Sequence, residues 1–456
     1  MRKKRNPQCS PDLPYRPHAI YDELCSVSQW LDAHPHFVDW VFNDLRNEAT
    51  HDTGRDALTA ESVLRIAFLR QRFQFSFKHL AFALMDSPTF RAFCRIGSKQ
   101  MPHKSSLQSL VCSITAGTYQ RIHRAQLQTA REQRIETGRI AAIDSTVTAT
   151  NIKEPYDSDL LSTSVQEMCR LLEQGQTFTA EPLYRFTHHN KSIKKTAKEC
   201  SYAKTKVQQK QHYKKLLQLT RKTRKILIQA RFDLENALQN GACRNTAFVA
   251  QWLSEADRLL PLVEAVFSQT ERRVFKGEKV PAQEKIVSLY EPHTDIIVKD
   301  RRDVQYGHKL NLTQGKSRMI LDLAIETGNP ADSDRFIPMV ERQKDIYGRA
   351  PRQTAVDGGY ASRANLEDAK AMGVKDVAFH KKRGLEVEDM VKSQYVYQKL
   401  YRFRAGIEAG ISWLKRCFGL SMCPCKGEEH FEAWCWAAVV CYNFAILCRY
   451  PAPAIA

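Results

Sequence analysis

Up to about residue 135 the apolar residues of this chain recur at helical spacing, and at Arg139-Ile-Ala-Ala-Ile-Asp-Ser-Thr-Val the period changes. Ile140 to Ile143 form a short continuous apolar run, the pattern of a strand covered on both faces. Such a strand calls for a sheet with helices packed on it. The run predicts a strand that ends on Asp144. An acid there is either a turn former or cap or one member of a site.

Strand signals stop between about residues 155 and 283 and then return. Lys285-Ile-Val-Ser-Leu-Tyr reads as a strand. Gly307-His-Lys-Leu-Asn-Leu-Thr and Arg318-Met-Ile-Leu-Asp-Leu-Ala-Ile-Glu, separated by Gln314-Gly-Lys-Ser, read as a hairpin. Ala331 to Tyr347 is expected to be helical, Arg352 to Asp357 a short strand ending on a second acid, Ser362 to Met372 a helix, and Val374 to Phe379 a strand. The glycines after Asp357 allow a sharp turn and close approach of a ligand. A hairpin followed by strands alternating with helices predicts an α/β fold with a mixed sheet.

Tyr401 to Lys415 reads as the next helix. At roughly 100° per residue, Tyr401, Arg404, Glu408 and Lys415 fall within an arc of about 60°. Beside them runs an apolar stripe of Leu400, Phe403, Ile407, Ile411, Leu414 and Phe418. The plain reading is a solvated face with helical ion pairs. The other is an acid held among cations beside a core. In a mixed sheet, Asp144 and Asp357 can converge at one edge, with Glu408 reaching in from this helix. Three hard oxygen ligands without His or Cys suit Mg²⁺ or Mn²⁺ better than zinc. Two such ions could serve phosphodiester displacement, with Arg404 and Lys415 as phosphate clamps and Tyr401 beside a displaced nucleotide.

The chain has 456 residues, enough for two or three domains, and 69 Lys and Arg against 50 Asp and Glu, a formal charge of +19. That excess points to a polyanionic partner, nucleic acid before an anionic membrane surface. Met1 to Pro7 is basic with no apolar run behind it, so no secretory signal is expected. Ala433 to Cys448 is the longest uncharged apolar stretch, short for a span and better read as a buried helix. The 13 cysteines are irregularly spread with no CxxC pair, as expected of reduced thiols in the cytosol. Cys417, Cys423, Cys425 and His430 could be assembled into a zinc site, but buried thiols are the simpler expectation.

The N-terminal part has a capping-type start at Leu58-Thr-Ala-Glu-Ser, and short helices follow. With Arg70, Arg72, Lys78 and Lys104 outside, they could form a helix-turn-helix-like unit. A small bundle that only packs on its neighbour fits equally well. His188 to Lys225 carries a dense run of Lys and Arg, Lys194, Lys195, Lys214 and Lys215 among them, with Glu199 opposing. The latter half can still bury a face through Leu216, Leu217, Leu219, Ile226 and Leu227. This predicts a helical insertion with a strongly basic surface, which is either a solvated face or, being so one-sided in a basic protein, a contact to a phosphate backbone.

Asp-Ser-Thr at 144–146, Asp-Gly-Gly-Tyr at 357–360 and the spacing of Tyr401, Arg404, Glu408 and Lys415 resemble bacterial insertion-sequence DDE transposases, most closely those with the Tyr-Arg-Glu-Lys signature. Thr150-Asn-Ile-Lys-Glu-Pro-Tyr-Asp-Ser-Asp-Leu-Leu, Gly307-His-Lys and Gly328-Asn-Pro-Ala-Asp-Ser are similar to the ISNCY-like branch. Residues 58–110 are similar to the helical domain that precedes the core in such enzymes.

The resemblance implies a ribonuclease-H-like core with Asp144, Asp357 and Glu408 as the metal-binding triad. It also implies that Tyr401, Arg404 and Lys415 contact the transposon end. The expected organisation is a helical N-terminal DNA-binding domain at 1–135, the first part of the core at 136–154, the basic insertion at 155–283, and the rest of the core with C-terminal helices at 284–456. The expected activity is metal-dependent cleavage and strand transfer on double-stranded DNA, transposon ends and target, by a homodimer in the synaptic complex. The expected place is the bacterial cytoplasm, at the nucleoid and not in a membrane. A nuclease that cuts without joining, and a non-catalytic DNA-binding descendant, are the alternatives.

Overall fold

The computed structural model describes residues 4, 18–46, 57–97, 100–299 and 303–453. The basic run at Met1 to Pro7 lies outside these apart from Lys4, which pairs with Asp39 at 2.5 Å. The chain divides into two compact units, Met1–Asn151 with Gly307–Ala456, and Ile152–Tyr306.

In the first unit, the helix Ala60–Phe73 starts where predicted, because the Thr59 hydroxyl accepts from the Ser62 backbone N–H. Its polar side chains are mostly inside. Arg65, buried, pairs with Asp32 at 2.8 Å and Glu61 at 3.5 Å. Arg70 and Arg72, expected outside, are not free cations on the surface. Arg70 is buried between two aromatic rings, and Arg72 is bound to Glu23 at 2.6 Å. Lys78 and Lys104 are exposed. The helices Phe77–Asp86 and Pro88–Phe93 begin on the Ser76 and Ser87 side-chain caps.

The sheet is built on β1 (Ile140–Thr150), followed by β2 (Asp295–Lys299), β3 (Asp303–Gly315), β4 (Ile320–Ile325), β5 (Gln353–Val356), β6 (Asp376–Phe379) and β7 (Met422–Cys423). The path through it runs β2-β3-β1-β5-β6, with β4 on β3 and β7 on β1. β1 is antiparallel to β3 and parallel to β5, and β5 is parallel to β6. The predicted hairpin is β3 and β4, antiparallel with a register shift at Thr313/Gln314.

Two expectations need correction. β1 does not end on Asp144. Its parallel ladder with β5 stops at Ile143, but the antiparallel ladder with β3 continues to Ala149 and carries the strand on. Lys285 to Tyr290 is not a strand. The Ser288 hydroxyl accepts from the backbone N–H groups of Tyr290 and Glu291, and Gln269 captures the Ile286 N–H. Side-chain bonds thereby take the donors that a ladder needs.

The helices Asp332–Tyr347, Arg363–Ala371 and Gln394–Cys417 cover β5 and β6, and Ile143, Phe336, Met339, Val356, Leu366, Phe379 and Leu400 share one core. The last helix, Glu428–Leu447, is buried almost all round. Its one central amide, Asn443, is satisfied by β4, accepting from Ile320 N at 2.8 Å and donating to Ile320 O at 2.9 Å. No described helix is long and apolar enough to cross a membrane.

The second unit holds the helices Asp157–Gly175, Asn190–Ser201, Lys206–Gln239 and Thr246–Val274. Leu161, Val165, Leu216, Leu227, Trp252 and Val263 form its separate core. Lys194, Lys195, Lys214 and Lys215 are exposed. Lys195 lies 3.9 Å from Glu199, and Arg224 pairs with Glu264 at 2.5 Å. The expected insertion ends at residue 283, whereas this compact unit runs to Tyr306.

Candidate active site

Register brings the candidate residues together. Ile143 pairs with Val356, and Val356 with Phe379, across three adjacent parallel strands. All three side chains belong to one core cluster. The next step along each strand gives Asp144, Asp357 and His380. The His380 N–H donates to Val356 O at 2.9 Å, so the ladder still holds at that step.

The helix Gln394–Cys417 packs across β1, β5 and β6. Ser393 caps its start by accepting from Val396 N. Leu400, Ile407, Ile411 and Leu414 are buried along it as the apolar stripe predicts, while Phe418 stands just past its end and is buried there. That anchoring points Arg404 and Glu408 at the strand acids.

One guanidinium meets all three carboxylates. Arg404 Nη1 lies 3.8 Å from Asp144 Oδ2 and 3.6 Å from Asp357 Oδ1, while Nη2 donates to Glu408 Oε1 at 2.6 Å. The Arg404 side chain is only 11% exposed, and its Nε is buried without a hydrogen-bond partner. Asp144 is 18% exposed, Asp357 42% and Glu408 57%. Burial pushes the Asp144 carboxyl up to about 6, with Asp357 and Glu408 adding to the rise. The Ser145 N–H, 2.8 Å from Oδ1, and Arg404 oppose it.

His380 carries no signal in composition or spacing, yet its ring stacks on Tyr401, centroids 4.5 Å apart, and its Nδ1 is 3.9 Å from Asp357 Oδ1. The available clue is positional. It follows the strand Val374 to Phe379 as Asp357 follows its own. Lys415 is half-buried in the last turn of the helix. Lys194, Lys195, Lys214 and Lys215 belong to the other compact unit.

The two glycines after Asp357 do not adopt left-handed backbone. They permit close packing instead: a Cβ on Gly358 would stand 2.6 Å from Lys381 Cβ, and one on Gly359 would stand 2.9 Å from Asp332 Oδ2. Asp332 is paired with Lys309 at 2.7 Å. Behind Asp144, the buried Tyr360 hydroxyl donates to Asn311 Oδ1 at 2.8 Å, and Asn311 donates to Glu326 at 2.8 Å. Burial holds the Tyr360 phenol neutral well above its ordinary range.

Among the described residues, no group of three or more His, Cys, Asp or Glu side chains stands arranged to hold a metal ion. That applies to Cys417, Cys423, Cys425 and His430 as well as to the acids. The shared counter-ion of Asp144, Asp357 and Glu408 is the Arg404 guanidinium. As donors the three still fit a hard divalent cation. They are all carboxylates, they converge on one positive charge, and one of them is raised by the other two. Coordination requires the guanidinium to withdraw from between them.

Residues 299–444 match the Transposase DDE domain family, and residues 21–110 match the family described as Transposase domain (DUF772). The first match spans Asp357, Tyr401, Arg404, Glu408 and Lys415 and begins after Asp144. Neither the curated proteins nor the solved structures yield a match. Two transposase domains matched on one chain, in a mixed α/β fold that gathers three acids, support an insertion-sequence transposase of the DDE type.

Proposed function

We propose that this protein binds the terminal inverted repeats of its own insertion sequence and catalyses metal-dependent strand cleavage and strand transfer. The observation that carries this is the meeting of Asp144, Asp357 and Glu408 on one guanidinium, although they come from a central strand, a neighbouring strand end and a covering helix. The strand order β4-β3-β1-β5-β6, antiparallel up to β1 and parallel after it, supports a ribonuclease-H-like core.

Asp144, Asp357 and Glu408 would hold Mg²⁺ or Mn²⁺, two ions in the full reading, whose chemistry there would be activation of a water or 3′-hydroxyl and charge compensation at the scissile phosphate. The other steps fall to this chain's own groups. Asp144 is fixed by its strand and by the Ser145 N–H, and so orients the site. Arg404 neutralises the acids in the free protein, and on leaving them it can clamp a phosphate. Tyr401, fixed by stacking on His380, and Lys415 lie along the same helix for contacts to the transposon end, in keeping with the Tyr-Arg-Glu-Lys signature and the ISNCY-like branch. The exposed Lys78 and Lys104 and the lysines of the second unit supply sequence-independent contacts to the DNA backbone. Bringing two ends together calls for a homodimer, acting at the bacterial nucleoid.

The test is a labelled element end incubated with the wild type and with Asp144→Asn. The wild type should give cut and joined products with Mg²⁺. The variant should bind the end and give neither, a loss of at least about a thousandfold, on the order of 4 kcal/mol. Wild-type-like cleavage by Asp144→Asn would remove this reading. Cuts without joined products in the wild type would leave a nuclease, and binding alone a DNA-binding protein.

A further inference from the structure

Away from the acids, three thiols from two distant parts of the chain gather where Cys425 meets a buried guanidinium. Cys112 ends the helix Lys104–Cys112, and Cys423 and Cys425 lie between the helices Gln394–Cys417 and Glu428–Leu447. Arg70 Nη2 is 3.7 Å from Cys425 Sγ. The rings of Phe77 and Trp434, with centroids 4.2 Å and 4.7 Å from the guanidinium carbon, clamp Arg70 in place. The Cys423 thiol donates to the Cys425 carbonyl at 3.7 Å, and the Cys112 thiol lies beside the Cys425 side chain. Cys112 and Cys425 are half-buried and open onto a cavity of about 870 Å³, with Arg70, Lys426, His430 and Trp434 on its wall; Cys423 lies buried behind them.

A fixed cation beside a sulfur favours its anion. The neighbouring Cys112 and Cys423 thiols, and then Arg70, hold the Cys425 thiol below its ordinary range, against the effect of burial. Cys112 and Cys423 are pushed up in turn by Cys425 and by burial. A thiolate beside a cation on the wall of an open cavity is the setting of a reactive cysteine, whereas buried thiols in apolar surroundings are inert.

We propose that Cys425 is a nucleophilic modification site for soft electrophiles, peroxides above all, and that Cys112 is the thiol that resolves its oxidised form into a disulfide. In the first step the Cys425 sulfur attacks one oxygen of hydrogen peroxide, the O–O bond breaks, and hydroxide leaves and takes up a proton as water. The sulfur is oxidised by two electrons to a sulfenic acid. Cys112 then loses its proton and attacks that sulfur. The S–S bond forms, the S–O bond breaks, and the second hydroxide leaves with that proton as a second water. Two thiols and one peroxide become one disulfide and two waters. Cys423 touches the same sulfur, but it is buried and separated by Pro424 alone, so a bridge across one residue departs from relaxed disulfide geometry. The Cys112–Cys425 bond would tie an N-terminal helix to the segment that leads into the last helix of the core.

The full-length protein tests this without any variant. Brief iodoacetamide labelling at pH 6, read by peptide mass spectrometry, should modify Cys425 at least about tenfold faster than the half-buried Cys25, Cys243, Cys417 and Cys448. One equivalent of hydrogen peroxide should then give a Cys112–Cys425 cross-linked peptide. In Cys112→Ser, dimedone should trap the sulfenic acid on Cys425. Labelling of another cysteine first, or a cross-link to Cys423, would overturn the assignment. So would one zinc ion per chain released only on alkylation of Cys425, since the thiols would then be metal ligands.

Discussion

Asp144 is kept from full ionisation by the surroundings that make it useful. Its folded-state value, about 6 against an ordinary 3.8, means that the folded chain holds this proton more tightly than the unfolded one. Its contribution to stability is therefore greatest below about pH 4 and falls as pH rises through 6. Asp144→Asn removes the charge and keeps an acceptor for the Ser145 N–H. At pH 7 the variant should be more stable than the wild type, by on the order of 1–3 kcal/mol. By pH 4 that advantage should be nearly gone. Urea melts at the two pH values measure it, and an Asp144→Asn protein less stable than wild type at pH 7 contradicts the burial argument. The identity of Asp144 as an acid placed beside a strand signal is legible in the chain. Its mid-strand position is not, because the pairing that extends β1 comes from β3, more than 150 residues away.

The helix Gln394–Cys417 has its own balance of forces. Gly406 and Gly410 lie one turn apart in it, and each alanine would gain about 1 kcal/mol of helix propensity. Their surroundings decide otherwise for one of them. A Cβ on Gly410 would stand 2.3 Å from Gln314 Nε2 and 3.2 Å from the Tyr442 hydroxyl. Gln314 is fully buried and bonded to both Tyr442 and the Arg318 carbonyl. A Cβ on Gly406 would meet the far end of Arg318, an exposed side chain that can swing away. Gly410→Ala should destabilise by about 1–3 kcal/mol, while Gly406→Ala should fall within about 1 kcal/mol of wild type. Thermal melts separate the two, and equal effects would mean that Gln314 does not lie against Gly410. The 3.6-residue period reveals the buried stripe of this helix. It says nothing of the glycines, whose role depends on what lies opposite.

At the scale of the molecule, the two segments of the first unit adjoin where the chain departs and returns, since Ala149 of β1 is paired with Gly307 of β3. Antiparallel partners lie about 5 Å apart, so a short turn can replace Ile152–Tyr306. A protein so shortened should fold, with its own core intact. In the intact chain, Lys194→Gln, Lys195→Gln, Lys214→Gln and Lys215→Gln together should weaken binding to any duplex. They should also lower the slope of log affinity against log salt by about 0.9 for each phosphate that the protein no longer neutralises. Fluorescence anisotropy across a salt series reads both, and an unchanged slope would place the DNA-binding surface elsewhere. The charge of this unit is plain in the Lys and Arg run. The extent of the unit is not, because Lys285 to Tyr290 reads as a strand of the core but is held by side-chain bonds from Gln269 and Ser288.

Read alone, the amino-acid order determines what each segment can become, because apolar period, caps and turn residues act over a few neighbours at a time. It establishes the helices, most of the strands, the net charge and the presence of acids beside strand and helix signals. Which of those acids share a counter-ion depends on strand register and on how one helix lies across three strands. So does the place of His380 beside Asp357, and of Arg70 beside three thiols. Two of these distances, Arg404 to Asp144 and Arg70 to Cys425, join residues hundreds of positions apart, and the packing that sets all three exists only once the chain has folded.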